Sequence, residues 1–436
     1  MTVHRDWDVV VAGAGVGGVS AAVNAARQGA RTLLIERMSD IGGTGVHSNV
    51  ALISRYWDAK GRVINDGFHR ELFPSTIPCD HQIRTYDPGE LAERYRILTA
   101  AEPTLTIYTG TSVEHVHRSN TTVESARLTG DHTGDITSKV WIDSTADGIF
   151  SFLAGCAYEM GRKGDHAMQP STLTFTVDGI DFEKLPHGSI AHNAALNALW
   201  EELTTLYLEW KEAGKLDNPR ENVLCFPYPD NKRLLFNQTR ITGVDPTDPH
   251  SLARARKEGE RQILEYMPCL KEHPAFRNAF IESISPMLGV REGRRILGDH
   301  VLNEEECLGE ARFDDMIAAC GSSIDIHNPI GTGTVMKHIP GSGYFHIPYR
   351  SIIPRDTDNL LLSSRCLSGT HEAHSAYRVM CVISCVGQAA GIAAGLAARL
   401  TGGRVRDVNP AWIRYELHRA GAFTEGERIP PPSFTT

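Results

Sequence analysis

Ten residues near the N-terminus, Val9 to Gly18, limit this chain more than any other stretch. An apolar run, Val9-Val10-Val11-Ala12, leads into Gly13-Ala14-Gly15-Val16-Gly17-Gly18. Val19, Ala22, Val23 and Ala26 then recur at helical spacing until Gly29, and Arg31 to Ile35 reads as the next buried strand. Strand, G-x-G-x-x-G turn, helix and strand make a βαβ unit of the length that binds dinucleotides. Each glycine has a mechanical task in such a unit. Gly13 makes the tight turn, Gly15 lets backbone approach a pyrophosphate, and Gly18 lets the helix lie close to the strand. The free N–H groups and positive dipole end of the helix then face the phosphates. Glu36 ends the second strand, where a carboxylate accepts hydrogen bonds from a ribose and favours one without a 2′-phosphate.

The chain has 436 residues, enough for two or three domains with large cores. A net charge of −9 with no Lys/Arg block argues against a nucleic-acid partner. Nine cysteines without C-x-x-C spacing read as reduced thiols, with no disulfide framework and no metal site. The first hydrophobic run is already the nucleotide-binding strand, so no signal peptide is expected and the cytoplasm follows. Only Val379 to Ala398 could mimic a membrane span. Its Gly387, Gln388, Gly391 and Gly395 suit close packing inside a protein, so no membrane association is expected.

Beyond Glu36 comes a second glycine cluster, Ile41-Gly42-Gly43-Thr44-Gly45, followed by His47-Ser48-Asn49-Val50-Ala51. Asp87-Pro88-Gly89-Glu90 starts a helix that runs to about Ala101. Leu105 to Tyr108 is a strand, and Thr111 to Val116, Thr121 to Leu128 and Ile136 to Ile142 alternate like an antiparallel excursion. Val140 to Gly148 is a buried strand ending in small and acidic residues, where Asp147 either faces a ligand or N-caps the segment Ile149 to Ala157. The expected division is 1–155 and 342–405 for the nucleotide-binding domain, 156–341 for an inserted α+β substrate domain, and 406–436 for a C-terminal tail that, with its Pro430-Pro431-Pro432, is expected to be poorly ordered. The inserted part carries a strand at 172–177, helices at 192–213 and 251–266, and a short β piece at 233–239. Pro286 to His300 is the densest charge cluster. Such runs usually form a solvated face, yet the interleaved Leu, Val and Ile suggest that at least one arginine points inward to clamp an oxyanion. Asn359 to Cys366 is a buried strand, and Ser368 to Arg378 packs two imidazoles and a carboxylate into one turn before a small-residue helix.

Taken together, the fingerprint, the Val290-Arg291-Glu292-x-Arg294-Arg295-Ile296 block, the Thr370-His371-Glu372-Ala373-His374 turn and the Gly387-Gln388-Ala389-Ala390-Gly391 helix resemble bacterial FAD-dependent oxidoreductases distantly akin to fumarate reductase and succinate dehydrogenase flavoproteins. The resemblance implies an α/β, Rossmann-like, glutathione-reductase-like fold with FAD held by Gly13, Gly15, Gly17, Gly18, Glu36, Arg37, Gly42, Gly43, Thr44, Asp147, Arg365 and Glu372. It implies that Val113 meets the adenine, that Ala146 replaces a usual glycine, and that His47 lies near the ring or carries covalent flavin. The late strand and its turn would cover the flavin, with a helix N-terminus aimed at the pyrimidine end.

Hydride removal from a carbon bearing a hydroxyl or amine needs a base for the heteroatom proton, and His371 or His374 is expected to be that base. Arg378, Arg291 and Arg294 are candidates for holding a carboxylate or polarising an oxygen. Glu372 would orient an imidazole or cap the helix. A dehydrogenase or oxidase of a small polar molecule, with an unspecified electron acceptor, is the leading expectation. A reductase of an activated double bond, a monooxygenase or halogenase, a flavoprotein acting on RNA, and a non-catalytic FAD module are the alternatives. A homo-oligomer is allowed.

Overall fold

The computed structural model describes residues 6–76, 84–186 and 193–426. Its first strand, β1 (Asp6–Ala12), is buried from Val9 onward, and the helix α1 (Val16–Arg27) starts three residues after the turn glycine. Strand β2 (Thr32–Ile35) pairs parallel with β1, Val9 opposite Thr32. The helix α2 (Pro88–Ala100) begins at Asp87, whose side chain accepts from Gly89 N at 2.7 Å, and leads to β3 (Leu105–Tyr108), parallel to β2. An antiparallel excursion, β4 (Thr111–Ser119) and β5 (Thr122–Gly130), precedes β6 (Gly134–Asp143).

Strand β6 serves two partners along one edge. Its first half pairs antiparallel with β5, Thr137 opposite Ser125, while Trp141–Asp143 lie between β1 and the late strand β7 (Leu360–Leu362), both parallel to it. Burial follows pairing. The first half alternates, and Val140 to Asp143 are all buried, as expected of a strand covered on both faces. The parallel order is therefore β3-β2-β1-β6-β7, a Rossmann-like core.

After β7 come α3 (His371–Tyr377) and α4 (Met380–Leu400). Helix α4 is long and apolar enough to cross a membrane, but 94% of its apolar stretch is buried inside the protein. It lies directly on α1. A Cβ on Gly387 would sit 2.3 Å from Gly17 O, and one on Gly391 would sit 2.2 Å from Ala21 O, so only glycine lets the two backbones meet. A last helix, Pro410–Arg419, is capped by Asn409 and buries Ile413 and Leu417, so this part of the expected tail is ordered structure. Pro430–Pro432 lie outside the described residues.

A second core forms around an antiparallel sheet ordered Cys225–Pro227, Leu234–Phe236, Phe175–Asp178, Phe280–Ile284. Helices Asn193–Glu212 and Pro249–Leu270 pack on it, and Phe175 stacks on Phe236 at 5.2 Å between centroids. The second helix starts earlier than its apolar pattern suggests, because Asp248 accepts from His250 N and Ser251 N with Pro249 at the first position. The expected start at His192 lies outside the described residues. Ile296, Leu302, Ile317, Ala318, Cys320 and Ile324 pack into the first core. The eight described cysteines are free and buried.

Candidate active site

The C-terminal ends of β1, β6 and β7 lie side by side, and the fingerprint glycines are what lets them. Gly13 has φ +97°, donates to Ile35 O at 2.7 Å, and has room for a Cβ only 2.4 Å from Ser144 O. A Cβ on Gly18 would lie 1.8 Å from Gly13 O, and one on Gly17 would lie 1.7 Å from Ser363 O at the end of β7. Gly17, between the motif's own glycines, is thus required by the late strand. Gly15 differs. A Cβ there would meet only Gly43 Cα, at 3.6 Å, whereas Gly43 (φ +58°) would drive a Cβ to 2.5 Å from Gly15 Cα. Gly42 N donates to Ala14 O at 3.0 Å and closes this face-to-face pair of turns.

No side chain caps α1 at Gly15, so the N–H groups of its first turn are left for another acceptor. Glu36 is buried and accepts from Ala14 N (2.8 Å) and Met38 N (2.9 Å), one bond per oxygen. Each oxygen keeps acceptor capacity. Arg37 is exposed, and Thr44 is partly buried in the short helix Gly43–His47. Val113 on β4, opposite Leu128 of β5, lies two residues past Thr111, whose N–H donates to Glu36 O at 2.9 Å.

At the end of β6 the fully buried Asp143 organises the turn. Its Oδ1 accepts from Thr145 N and Oγ1, and its Oδ2 accepts from Ser151 N and Oγ, all within 2.9 Å. Ala146 has φ +67°, the left-handed region that favours the missing glycine. Asp147 is not a helix cap. Gly148 occupies that position in a left-handed conformation, and Thr145 Oγ1 accepts from Ile149 N at 2.7 Å. Asp147 instead takes Arg365 Nη2 at 2.7 Å, with Gly293 packed against its carboxylate and Arg294 Nη1 reaching its carbonyl at 3.3 Å.

The charge cluster is not a solvated face. Arg291, Glu292, Arg294 and Arg295 are all buried. Arg295 donates to Glu292, to Gly161 O and to Gly369 O, so it ties the cluster to the turn before α3. Glu292 Oε2 accepts from Gln169 N at 3.0 Å, and its Oε1 accepts from His371 Nδ1 at 2.9 Å.

His371 and His374 are three apart on α3 and share its buried face, at 4% and 0% exposure. Because a carboxylate only accepts, His371 Nδ1 donates to it, and the other ring nitrogen, Nε2, is buried without a partner. Both ring nitrogens of His374 are buried without a hydrogen-bond partner. Burial and the surrounding Arg295, Arg378 and Arg365 push its pKa well down, so the ring is neutral. Glu372 neither caps the helix nor orients either ring. Thr370 is the cap, and the orienting carboxylate, Glu292, comes from 79 residues away. Arg378 Nη2 reaches Gln169 Oε1 at 3.4 Å and Arg291 Nη1 donates to Pro170 O at 2.6 Å.

The family model of FAD-dependent oxidoreductases matches residues 8–417. The chain belongs to that family. FAD is therefore its cofactor, and the fold is that of FAD-binding flavoproteins. Solved structures similar to this flavoprotein include a geranylgeranyl bacteriochlorophyll reductase-like protein from Thermoplasma acidophilum (13% identity, 92% of this chain and 80% of that one, TM-score 0.43). A flavin-dependent brominase, Bmp2, is 12% identical over 95% of this chain and 84% of its own, at TM-score 0.44. p-Nitrophenol 4-monooxygenase PnpA from Pseudomonas putida DLL-E4 is 12% identical over 68% and 71%, at TM-score 0.42. No curated protein sequence matches the chain.

The residues present fit FAD. The facing Gly15 and Gly43 turns form a cradle that a Cβ on Gly43 would close, and the uncapped start of α1 opens at the same place. Buried polar atoms without partners gather on the neighbouring strand end and helix: Arg365 Nε, Ser363 Oγ, Ser368 Oγ, His371 Nε2 and both nitrogens of His374. His47 ends the Gly43–His47 helix. Its Nε2 meets the Asp40 carbonyl at 3.2 Å and so carries the proton, and its own carbonyl accepts from Met287 N at 2.9 Å beside the second core.

Proposed function

We propose that this flavoprotein is a dehydrogenase or oxidase that removes a hydride from a small polar substrate, with His371 Nε2 as the base. In this reading Gly13, Gly15, Gly18, Gly42, Gly43 and Thr44 hold the pyrophosphate side of FAD, Glu36 the ribose, Val113 the adenine region, and Asp147 with Arg365 the inner edge of the site. Bound FAD supplies the two-electron acceptor for the hydride. The substrate's C–H electron pair leaves with the hydride while its O–H or N–H proton passes to His371 Nε2. The observation that carries the reading is the Glu292–His371 contact at 2.9 Å with Nε2 buried and unpartnered. Glu292 fixes the tautomer and steadies the imidazolium, and α3 holds the ring away from water.

His374 lacks such an orienting partner and offers a neutral nitrogen to a ligand. Covalent attachment through His47, and with it the kinship to fumarate reductase, would use Nδ1, because Nε2 is engaged with Asp40. A yellow supernatant after acid precipitation sinks that attachment. The proposed setting is the cytoplasm.

The test is anaerobic flavin bleaching against a panel of alcohols, amines and acids. A bleaching substrate is expected, and His371→Asn should slow reduction about 10²–10⁴-fold with flavin content unchanged. No bleaching by any member, together with NAD(P)H oxidation that consumes oxygen, would assign a monooxygenase or halogenase instead. Reoxidation of reduced enzyme by an unsaturated acceptor, with no forward reaction, would assign a double-bond reductase.

A further inference from the structure

Arg291 and Arg378 converge between the two cores, and the segment that carries Arg220 joins them through Glu221, whose carboxylate holds Thr334 Oγ1 (2.9 Å), itself 3.2 Å from His327 Nδ1. Arg220 lies between the helix Asn193–Glu212 and the strand Cys225–Pro227, its carbonyl held by Tyr207 Oη (3.2 Å) and Lys211 Nζ (2.9 Å). It is 2% exposed, and its Nε is buried without a hydrogen-bond partner. Arg378 Nε is likewise buried and unpartnered. Arg291 and Arg378 converge on consecutive residues, Pro170 and Gln169, and His327 N–H donates to the same Gln169 Oε1 at 3.3 Å. The Asp325 carboxylate stands beside this group, 3.7 Å from His327 Nε2, with Oδ1 buried and unpartnered. Its backbone N–H rests on Ser375 Oγ of α3 at 3.1 Å, which places the cluster against the helix that carries His371.

The neighbouring carboxylates are already committed. Glu292 serves Arg295, His371 and Gln169 N. Glu221 takes Arg240 Nη1 at 3.3 Å and Thr334 Oγ1 at 2.9 Å, and Arg240 is otherwise spent on the carbonyls of Asn328, Gly331 and Gly333. Among the described residues, Asp325 is the carboxylate beside this group that keeps an unpartnered oxygen, while Glu221, next to Arg220 in the chain, is shared with Arg240. Guanidiniums cannot shed their charge to escape this. An unpaired buried cation is costly, so a site built this way is completed by an anion. The mutual field is felt throughout: burial and the other arginines depress the pKa of Arg291 and of His327.

We propose that the substrate is an organic oxyanion, a carboxylate or a phosphate monoester, whose charged group is held by Arg220, Arg291 and Arg378 beside α3. This deepens the hydride-transfer reading and rests on it for the word substrate, but the binding itself does not depend on turnover. A planar oxyanion takes two parallel N–H bonds from one guanidinium, and the unpartnered Asp325 Oδ1 can accept from a hydroxyl or amine donor next to it.

The test is isothermal titration of the oxidised holoprotein with small carboxylates, phosphate monoesters, and the matched amides and alcohols, read alongside the visible flavin spectrum. One anion class should bind, weaken with added salt, and exceed its neutral counterpart by at least about tenfold. Whichever arm binds names the group. Arg220→Gln should weaken that anion about 10–100-fold with flavin content unchanged. Should Arg220→Gln fail to fold, Arg220→Lys keeps the charge without the planar fork, and a several-fold loss is expected from it. Neutral analogues binding as tightly as anions, or unchanged anion affinity in the folded Arg220 variant, overturns the proposal. Arginine-dependent anion binding without flavin reduction supports the oxyanion site and overturns hydride transfer. Bleaching by uncharged alcohols with no anion bound does the reverse.

Discussion

Gly43 and Gly402 offer a matched pair that separates backbone strain from the cofactor cradle. Their φ angles are +58° and +62°, so an alanine at either carries the same left-handed penalty, about 1 kcal/mol. Only Gly43 has a neighbour. Its Cβ would sit 2.5 Å from Gly15 Cα, whereas nothing lies within 4 Å of one on Gly402. Both atoms at the Gly43 contact are fixed to backbone, so no rotamer relieves it, and ordinary carbon contacts begin near 3.5 Å. The two glycine turns must part by about 1 Å, at an overpacking cost of about 1–3 kcal/mol. Gly402→Ala is therefore expected to lose about 1 kcal/mol in urea unfolding and to bind FAD like the parent. Gly43→Ala should lose about 2–4 kcal/mol and raise the FAD Kd at least about tenfold, read by quenching of FAD fluorescence on titration with apoprotein. Equal behaviour of the two variants, or a parental FAD Kd in Gly43→Ala, would refute the cradle.

Ala146→Gly relieves the strain at φ +67° and should add about 1 kcal/mol to unfolding stability; an unchanged or lower urea midpoint counts against the strained turn. Glu292→Gln leaves Arg295, 2% exposed at its side chain, without its carboxylate, and a loss of about 3–5 kcal/mol is expected; a parental midpoint would mean the buried pair does not form. His69, fully buried with Nδ1 on Ser384 Oγ at 2.9 Å, has its pKa pushed down to about 3 by burial. The unfolded chain protonates it near 6.5, so it favours unfolding increasingly as pH drops from about 6.5 to 3, by roughly 1.4 kcal/mol per pH unit. His327 and His374 act with the same sign. His69→Gln should make the acid limb of stability against pH shallower by that amount, and identical limbs would remove His69 from the account.

What the residues announce from their own neighbourhood came through. The strand, glycine turn and helix at Asp6–Arg27 depend on local spacing, as does the Asp87 cap, and all stand where the spacing puts them. What depends on a distant partner did not. Asp147 precedes a helix and so resembles a cap, but Arg365, 218 residues away, takes its carboxylate and Thr145 supplies the cap oxygen instead. Glu372 sits beside two histidines in sequence, yet helical geometry turns it off their face and leaves the orienting role to Glu292. The Leu, Val and Ile interleaved in the Arg and Glu run point to an inward arginine, as Arg291 and Arg295 are, but nothing local reveals that the carbonyls of Pro170, Gly161 and Gly369 will receive them. Arg220, Asp325 and His327 carry no motif at all. Only the unequal tally of cations and carboxylates at their meeting point exposes them.

The glycine seam between α1 and α4 sets a timetable for the newborn protein. Helix α1 leaves the ribosome early, but the helix that covers it begins at Met380. At roughly 5–20 residues per second the wait is about 20–70 s. Through that interval the bare backbone ridge of α1 has no mate, and the third wall of the nucleotide cleft, supplied by Ser363, has yet to be translated. The cleft and the seam are thus complete only after the segment through this helix has been made, and any product terminated ahead of Met380 lacks the helix that covers α1.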